Sequence, residues 1–230
     1  MSVDIFDKYD IRARICAMLF VIAPMLLDGY VMIDAFRNIT FTILLASLIL
    51  AYSCLFSCWI RFFGNKMDLK DYIVEFLMLD SKELSQKCLK RYYEKLSKLE
   101  PSFSDLLDYD KKKSQKILKD VSSWLRQKTR DEKFSLVREE NINYGFIRNI
   151  YSLKKFFLIV FSLYSLLLVV LFGISVYSSS FEDVLSAKVW VCLIIHLLSY
   201  GIWIFGVTKK IFDFVARKYA REIVAAIDRL

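Results

Sequence analysis

The sequence predicts an all-α protein: four transmembrane helices in two hairpins, with a helical cytoplasmic insert and a C-terminal cytoplasmic amphipathic helix. Three observations carry that prediction. Hydrophobic residues make up 56% of the 230 and aromatic ones 16%, with six Gly and two Pro, which excludes disordered, collagen-like and linker compositions. Four apolar runs, Ile15 to Phe36, Ile39 to Ile60, Phe156 to Tyr177 and Val189 to Val207, each approach the roughly 20 residues that cross about 30 Å of hydrocarbon. A water-soluble core would need a much larger chain to cover four such cylinders on all sides. Of the 33 Lys and Arg, 22 fall between Arg61 and Lys155, six follow Val207 and three precede Ile15, while Arg37 and Lys188 stand alone in the short connections. The positive-inside rule therefore puts both termini and the central segment in the cytoplasm.

In order along the chain, residues 1–60 read as an N-terminal segment and first hairpin, 61–155 as a basic cytoplasmic helical domain, 156–207 as a second hairpin and 208–230 as a cytoplasmic helix. The first run is too long for a cleaved signal, holds Asp28 and Asp34, and lacks a small-residue cleavage site. The second is uncharged and bears a seam of small residues, Ser47, Ala51, Cys54 and Cys58, which suits close helix packing within a subunit or between copies in a homo-oligomer.

The insert is expected to hold three helices. One covers Leu69 to Met78. A second starts at an Asp80/Glu83 capping box, places Leu84, Cys88, Leu89, Tyr92 and Leu96 at helical spacing, and stops at Pro101. The third runs from Lys112 to Lys128, with Ile117, Val121, Trp124 and Leu125 inward and Lys113, Lys116, Lys119 and Lys128 outward. The stretch EPSFSDLLDYDKKK between the last two reads as a turn-rich connection. In the C-terminal stretch Phe212, Val215, Tyr219, Ile223 and Ile227 share one face, so the fourth span is expected to continue into an amphipathic helix.

No HExxH, GxSxG, P-loop, dinucleotide fingerprint or CxxC occurs, and His196 is the single histidine, so neither an enzyme nor a metal or cofactor is expected. The five cysteines resemble no disulfide framework and are read as small apolar packers. His196 is read as a hydrogen-bonded residue that ties two helices, with a proton-handling role as the alternative. Asp28 has two readings: an ion path or gate, helped by Pro24 and Gly29, or a carboxylate in the outer interface. Asp34 is assigned to the interface. A pore made of these helices would be largely apolar, with Ser162, Ser165 and Ser175 as its polar content.

Residues 138 to 155, REENINYGFIRNIYSLKK, raise the sharpest question, because they place three Asn, two Tyr, a Gly and four basic residues directly before an apolar span. Arg126, Lys128, Arg130, Arg138 and Arg148 supply cations for phosphate, Tyr144, Phe146 and Tyr151 supply ring faces, and Asn141, Asn143 and Asn149 can read base edges. Gly145 is expected to make a tight bend at positive φ. A polar elbow that caps the span is the plainer reading.

Two segments, DKYDIRARI at Asp7 to Ile15 and WLRQKTRDEKFSLVREENINYGFIRN at 124–149, resemble a family of bacterial membrane proteins with the pattern WLRxKTRD, EENINYGFRRN and a short LGLK-like join. The chain departs from that pattern at Ile147, in place of a second Arg, and at Ser152, in place of Gly. The nearest named member is the Hailong-type anti-phage defence channel. The resemblance implies an oligomeric ion channel controlled by a short oligodeoxyadenylate made by a partner nucleotidyltransferase, and the residues themselves point to an inner-membrane protein with a nucleotide or oligodeoxynucleotide ligand. The rival readings are a non-conducting scaffold whose basic face binds a protein or anionic membrane lipid, and an intramembrane enzyme or small transporter using Asp28 and His196. The predicted topology is checked by reporter fusions: those after Lys66 and Leu230 should report cytoplasm and one near Ser179 the exterior, and the opposite pattern would overturn the orientation.

Overall fold

The structure is a computed structural model that describes residues 7–65, 70–108, 110–178 and 187–230. Leu69, the expected start of a short helix, lies outside the described residues, as do the side chains of Arg37, Ala51, Cys54, Lys112, Lys113 and Ser175. Every regular element among the described residues is helical. The chain divides into two units, Met1–Met67 with Gly145–Phe212, and Asp68–Tyr144 with Asp213–Leu230.

The first unit opens with a π-helical turn, Asp10–Ile15, that runs on into α1 (Cys16–Met32). Pro24 sits buried inside α1, where its missing N–H removes one bond of the ladder. A 3₁₀ turn, Asp34–Arg37, leads to α2 (Ile39–Asn65), which covers the uncharged second run. Gly29 is needed for a close approach: a Cβ there would lie 2.8 Å from the ring of Phe36, which folds back from the turn. After α6 (Ser135–Ser178), the fourth run forms α7 (Ala187–Gly201) and a second π-helical turn, Ile202–Gly206. Three segments among the described residues, Asp10–Met32, Glu132–Ile174 and Lys188–Gly206, are long and apolar enough to cross a membrane.

The buried centre of this unit is aromatic. Ala17, Val21, Ile150, Leu153, Phe157, Phe161, Trp203 and Val207 form its core. The Phe157 ring stacks on Trp203 at 4.0 Å and on Phe161 at 5.0 Å, and Phe20 meets Trp203 at 5.4 Å, so α1, α6 and the second π turn share one column of rings. Val207 leaves helical geometry, which ends the fourth run before the C-terminal helix begins. Lys154 Nζ donates to the carbonyls of Ile204 at 3.0 Å and Val207 at 2.7 Å, satisfying oxygens that the ending helix leaves open.

The expected bend at residues 138–155 is instead uninterrupted helix within α6. Gly145 serves packing rather than a turn: a Cβ there would lie 2.5 Å from the Tyr9 hydroxyl and 2.9 Å from its ring carbon. One helical turn on, buried Asn149 donates its side-chain amide to the Ala13 carbonyl at 2.7 Å. The N-terminal DKYDIRARI and the Gly145 to Asn149 stretch, singled out together from the sequence, therefore meet in one unit. A local turn preference yields here to partners far away in the chain.

In the second unit α3 (Tyr72–Leu77) starts at Asp71, whose carboxylate accepts from Ile73 N–H at 3.1 Å. The next helix, α4 (Gln86–Leu99), starts at Ser85, which accepts from Cys88 N–H at 3.2 Å, and not at Asp80 as the capping-box pattern predicts. Glu83 is engaged elsewhere, by Arg217 at 2.9 Å and Arg221 at 3.4 Å, which leaves Asp80 to Leu84 outside the helix. The connection after Pro101 is a 3₁₀ helix, Pro101–Asp108, that buries Phe103 and Leu106 and packs on α4 and on α5 (Lys111–Lys128). Phe103 meets Trp124 edge-on at 5.8 Å. Along α8 (Lys209–Ala225) and its 3₁₀ end, Ala226–Arg229, the residues Tyr219, Ile223 and Ile227 are buried at helical spacing.

Alanine at position 145 separates the two roles of Gly145. Gly145→Ala should lower the melting temperature in detergent because the new methyl displaces Tyr9. In a Tyr9→Ala background the same change should raise stability by about 1 kcal/mol, the helix-propensity gain. A stabilising Gly145→Ala in the unaltered protein would show that Tyr9 does not dock there.

Candidate functional site

Among the described residues, α1, α6 and α7 build a connected polar arrangement within the apolar helices. Asp28, near the C-terminal end of α1, is 2% exposed. Its Oδ2 lies 2.7 Å from His196 Nε2 on α7. The other imidazole nitrogen, Nδ1, lies 2.9 Å from Ser165 Oγ on α6, which also donates to the Phe161 carbonyl at 2.7 Å. Ser165 Oγ and the Tyr200 hydroxyl are 3.3 Å apart, and Tyr200 donates to Ser162 Oγ at 3.1 Å.

Helical spacing explains why these residues converge: His196 and Tyr200 are four apart on α7, and Ser162 and Ser165 three apart on α6, so each pair shares a face. The imidazole is held from the side by Phe161 at 4.7 Å and Tyr164 at 5.8 Å. Tyr164 and Cys192 flank the Asp28 carboxylate. Asp28 Oδ1 is buried and has no hydrogen-bond partner among the described residues.

Carboxylate, imidazole and hydroxyl in that order are also the parts of a hydrolytic triad. Such a triad also needs hydrogen-bond donors aimed at the oxyanion, most often backbone N–H groups. Around Ser165, in mid-helix, the backbone N–H groups are bonded within the α6 ladder. The arrangement can instead hold a proton at several atoms and tie three helices. Asp34 lies away from it, exposed and 3.7 Å from Lys188.

The residues predicted to bind an anionic ligand are engaged in several different ways. Arg126 pairs with Asp71 at 3.0 Å, and Ser122 donates to the same carboxylate at 2.8 Å, so Asp71 both caps α3 and fixes α5. Lys128 lies over the Trp124 ring at 5.6 Å, and Arg130 is exposed in the turn after α5. Arg138, Asn141 and Asn143 are half-buried along the first turns of α6. Tyr144 stacks on Tyr219 at 5.2 Å. Arg148 is half-buried and belongs to the first unit, whereas the others belong to the second. On α2, exposed Ser47 donates to the Ile43 carbonyl.

Sequence reasoning missed three polar contacts of the second unit. Buried Glu140 pairs with Lys218 at 2.8 Å. Arg217 joins Glu83 and Glu75. Tyr72 donates to Asp213 at 2.6 Å, and burial together with that carboxylate pushes its hydroxyl up to about 12. Each joins residues far apart in the chain, so no local spacing announces it. No protein-family model matches the chain, and neither does a curated protein or a solved structure.

A double-mutant cycle measures the central contact. Asp28→Ala and His196→Ala should each cost about 1–3 kcal/mol in detergent unfolding, because each leaves a buried partner without its hydrogen bond. The double variant should cost less than the sum by about 0.5–3 kcal/mol. Strict additivity would mean that the two side chains do not interact.

Proposed function

We propose that this protein is an oligomeric ion-conducting effector of a bacterial inner membrane, gated through its basic cytoplasmic unit by a nucleotide or oligodeoxynucleotide signal in anti-phage defence. In this reading α2 is the second of four crossings and both termini are cytoplasmic. The observation that carries it is Asp28, a carboxylate 2% exposed among membrane-length apolar helices and joined to the lone histidine. Ionisable groups at that depth are costly and mark ion and proton paths.

The signal site is assigned to the segment 61–155, which holds +7 of the chain's net +8. Exposed Lys116, Lys119, Lys128, Arg130 and Lys133 lie close in sequence to Asn141 and Asn143, a combination of phosphate-binding cations and base-reading amides. A partner nucleotidyltransferase would supply the ligand, as the family resemblance implies. Helix α6 contains both Arg138 to Tyr144 and the serines of the polar chain, so strain applied to its first turns has a hydrogen-bonded path along one element.

A second reading, a non-conducting scaffold whose basic face binds a protein or anionic lipid, is favoured by the Arg126 ion pair and the Tyr144 stack, which already engage two of the expected ligand contacts. Binding of the full-length protein to oligodeoxynucleotides, measured against salt, separates the two. Each lost phosphate contact should flatten the log–log slope by about 0.7–0.9. An Arg130→Ala, Lys133→Ala double variant should insert at normal levels and lose control by the signal in cells, becoming silent or constitutively toxic. An unchanged response at matched protein levels would remove these cations from the ligand site, and binding to anionic vesicles alone would favour the scaffold.

A further inference from the structure

We infer that the ion this protein moves is the proton, and that Asp28, His196, Ser165, Tyr200 and Ser162 carry it as one relay. The inference rests on the ion-conducting reading above and specifies its substrate. Successive polar atoms along the chain are 2.7, 2.9, 3.3 and 3.1 Å apart, each within hydrogen-bond reach. Every member can both accept a proton and release one.

Sequence position orders the relay in depth. With the N-terminus inside, α1 runs outward and puts Asp28 near the outer end of its crossing. Helix α7 runs inward, so Tyr200 lies one turn nearer the cytoplasm than His196. Helix α6 runs outward, so Ser162 lies about one turn nearer the cytoplasm than Ser165. The two steps are the same turn seen on two helices, so the chain covers about 5 Å of depth, with Asp28 at its outer end and Ser162 at its inner end.

The surroundings are aromatic, which suits a proton passed between side chains better than a hydrated ion. Phe161 and Tyr164 cover the imidazole, Phe161 stacks on Phe157, and Phe157 stacks on Trp203. The other titratable groups against Asp28 are Tyr164 and Cys192. A proton enters at Asp28 Oδ1, the buried oxygen that lacks a partner among the described residues. The carboxyl group turns about its Cβ–Cγ bond so that the protonated oxygen faces His196 and protonates Nε2, and the imidazole releases its Nδ1 proton to Ser165 Oγ. The Ser165 hydroxyl, turning from the Phe161 carbonyl, gives its own proton to the Tyr200 oxygen. Tyr200 passes its proton to Ser162, which releases one to water. Each group ends with as many protons as it began with, one positive charge has moved inward, and rotation of the ring and hydroxyls resets the chain.

The test uses the full-length protein in phosphatidylcholine vesicles with an internal pH dye, with and without a short oligodeoxynucleotide on both faces of the membrane, and measures K⁺ and Cl⁻ release in parallel. Wild-type protein should dissipate a pH gradient, more slowly in D₂O. Asp28→Asn, His196→Ala and Ser165→Ala should each reduce proton flux to that of empty vesicles while keeping the wild-type oligomeric state, and added imidazole should restore His196→Ala. Ser199→Ala, whose hydroxyl is engaged by the Ile195 carbonyl, should conduct normally. Release of K⁺ or Cl⁻ without proton flux overturns the relay and leaves the conducting reading in place. No flux of any ion, with or without the oligodeoxynucleotide, overturns both. Proton flux that persists in both Asp28→Asn and Ser165→Ala overturns the relay as its route.

Discussion

An apolar helix among apolar neighbours offers its polar groups no water, so each must find a partner within the protein. The Asp28 to His196 hydrogen bond is where that constraint bears hardest, because it joins a carboxylate to the only imidazole the chain has. Around it the three helices α1, α6 and α7 are placed by geometry that serves the pair: rings close the sides of the imidazole, and serines and a tyrosine take its second nitrogen. A leucine at 196 would leave the Asp28 carboxylate buried without this bond, a larger penalty than the loss of one bond, whereas a leucine at 28 would leave His196 its contact with Ser165.

The same constraint explains details that otherwise look unrelated. Lys154 reaches the carbonyls exposed where the fourth apolar run leaves helical geometry. Asn149 uses its amide on the Ala13 carbonyl at the N-terminal turn, where a π-helical start disturbs the regular ladder. Ser47, Ser165 and Ser199 return their hydroxyls to carbonyls one turn back, so serines can sit in apolar helices at little cost. In the second unit, where charges are plentiful, the partners are ionic instead: Asp71 with Arg126, Glu83 with Arg217 and Arg221, Glu140 with Lys218.

What could be read from the sequence divides along the same line. Helical class, the apolar runs, the span of α5 and the buried face of the C-terminal helix follow from composition and a 3.6-residue period, which are local properties. The start of α4 did not follow, because Asp80 and Ser85 both look like caps and the choice depends on Glu83 being held by arginines over 130 positions away. The stretch around Gly145 has the residues of a turn, yet Tyr9 and Ala13 turn it into helix from a distance. Asp28 and His196 were each conspicuous alone. Their pairing, and the role of Ser165 between them, is a property of three-dimensional packing that no spacing encodes.

The separation of Asp28 and His196 by 168 positions has a consequence for biosynthesis. A ribosome adding about 5–20 residues per second delivers the histidine on the order of ten seconds after the carboxylate. If the first apolar helix crosses a membrane, as its length and apolarity allow, it stands there for that interval with an acid and no imidazole. A carboxylate in hydrocarbon crosses that wait most cheaply in its neutral, protonated form, or at the translocon's edge where water still reaches it. Such a helix enters as a provisional span, which the later arrival of α7 completes.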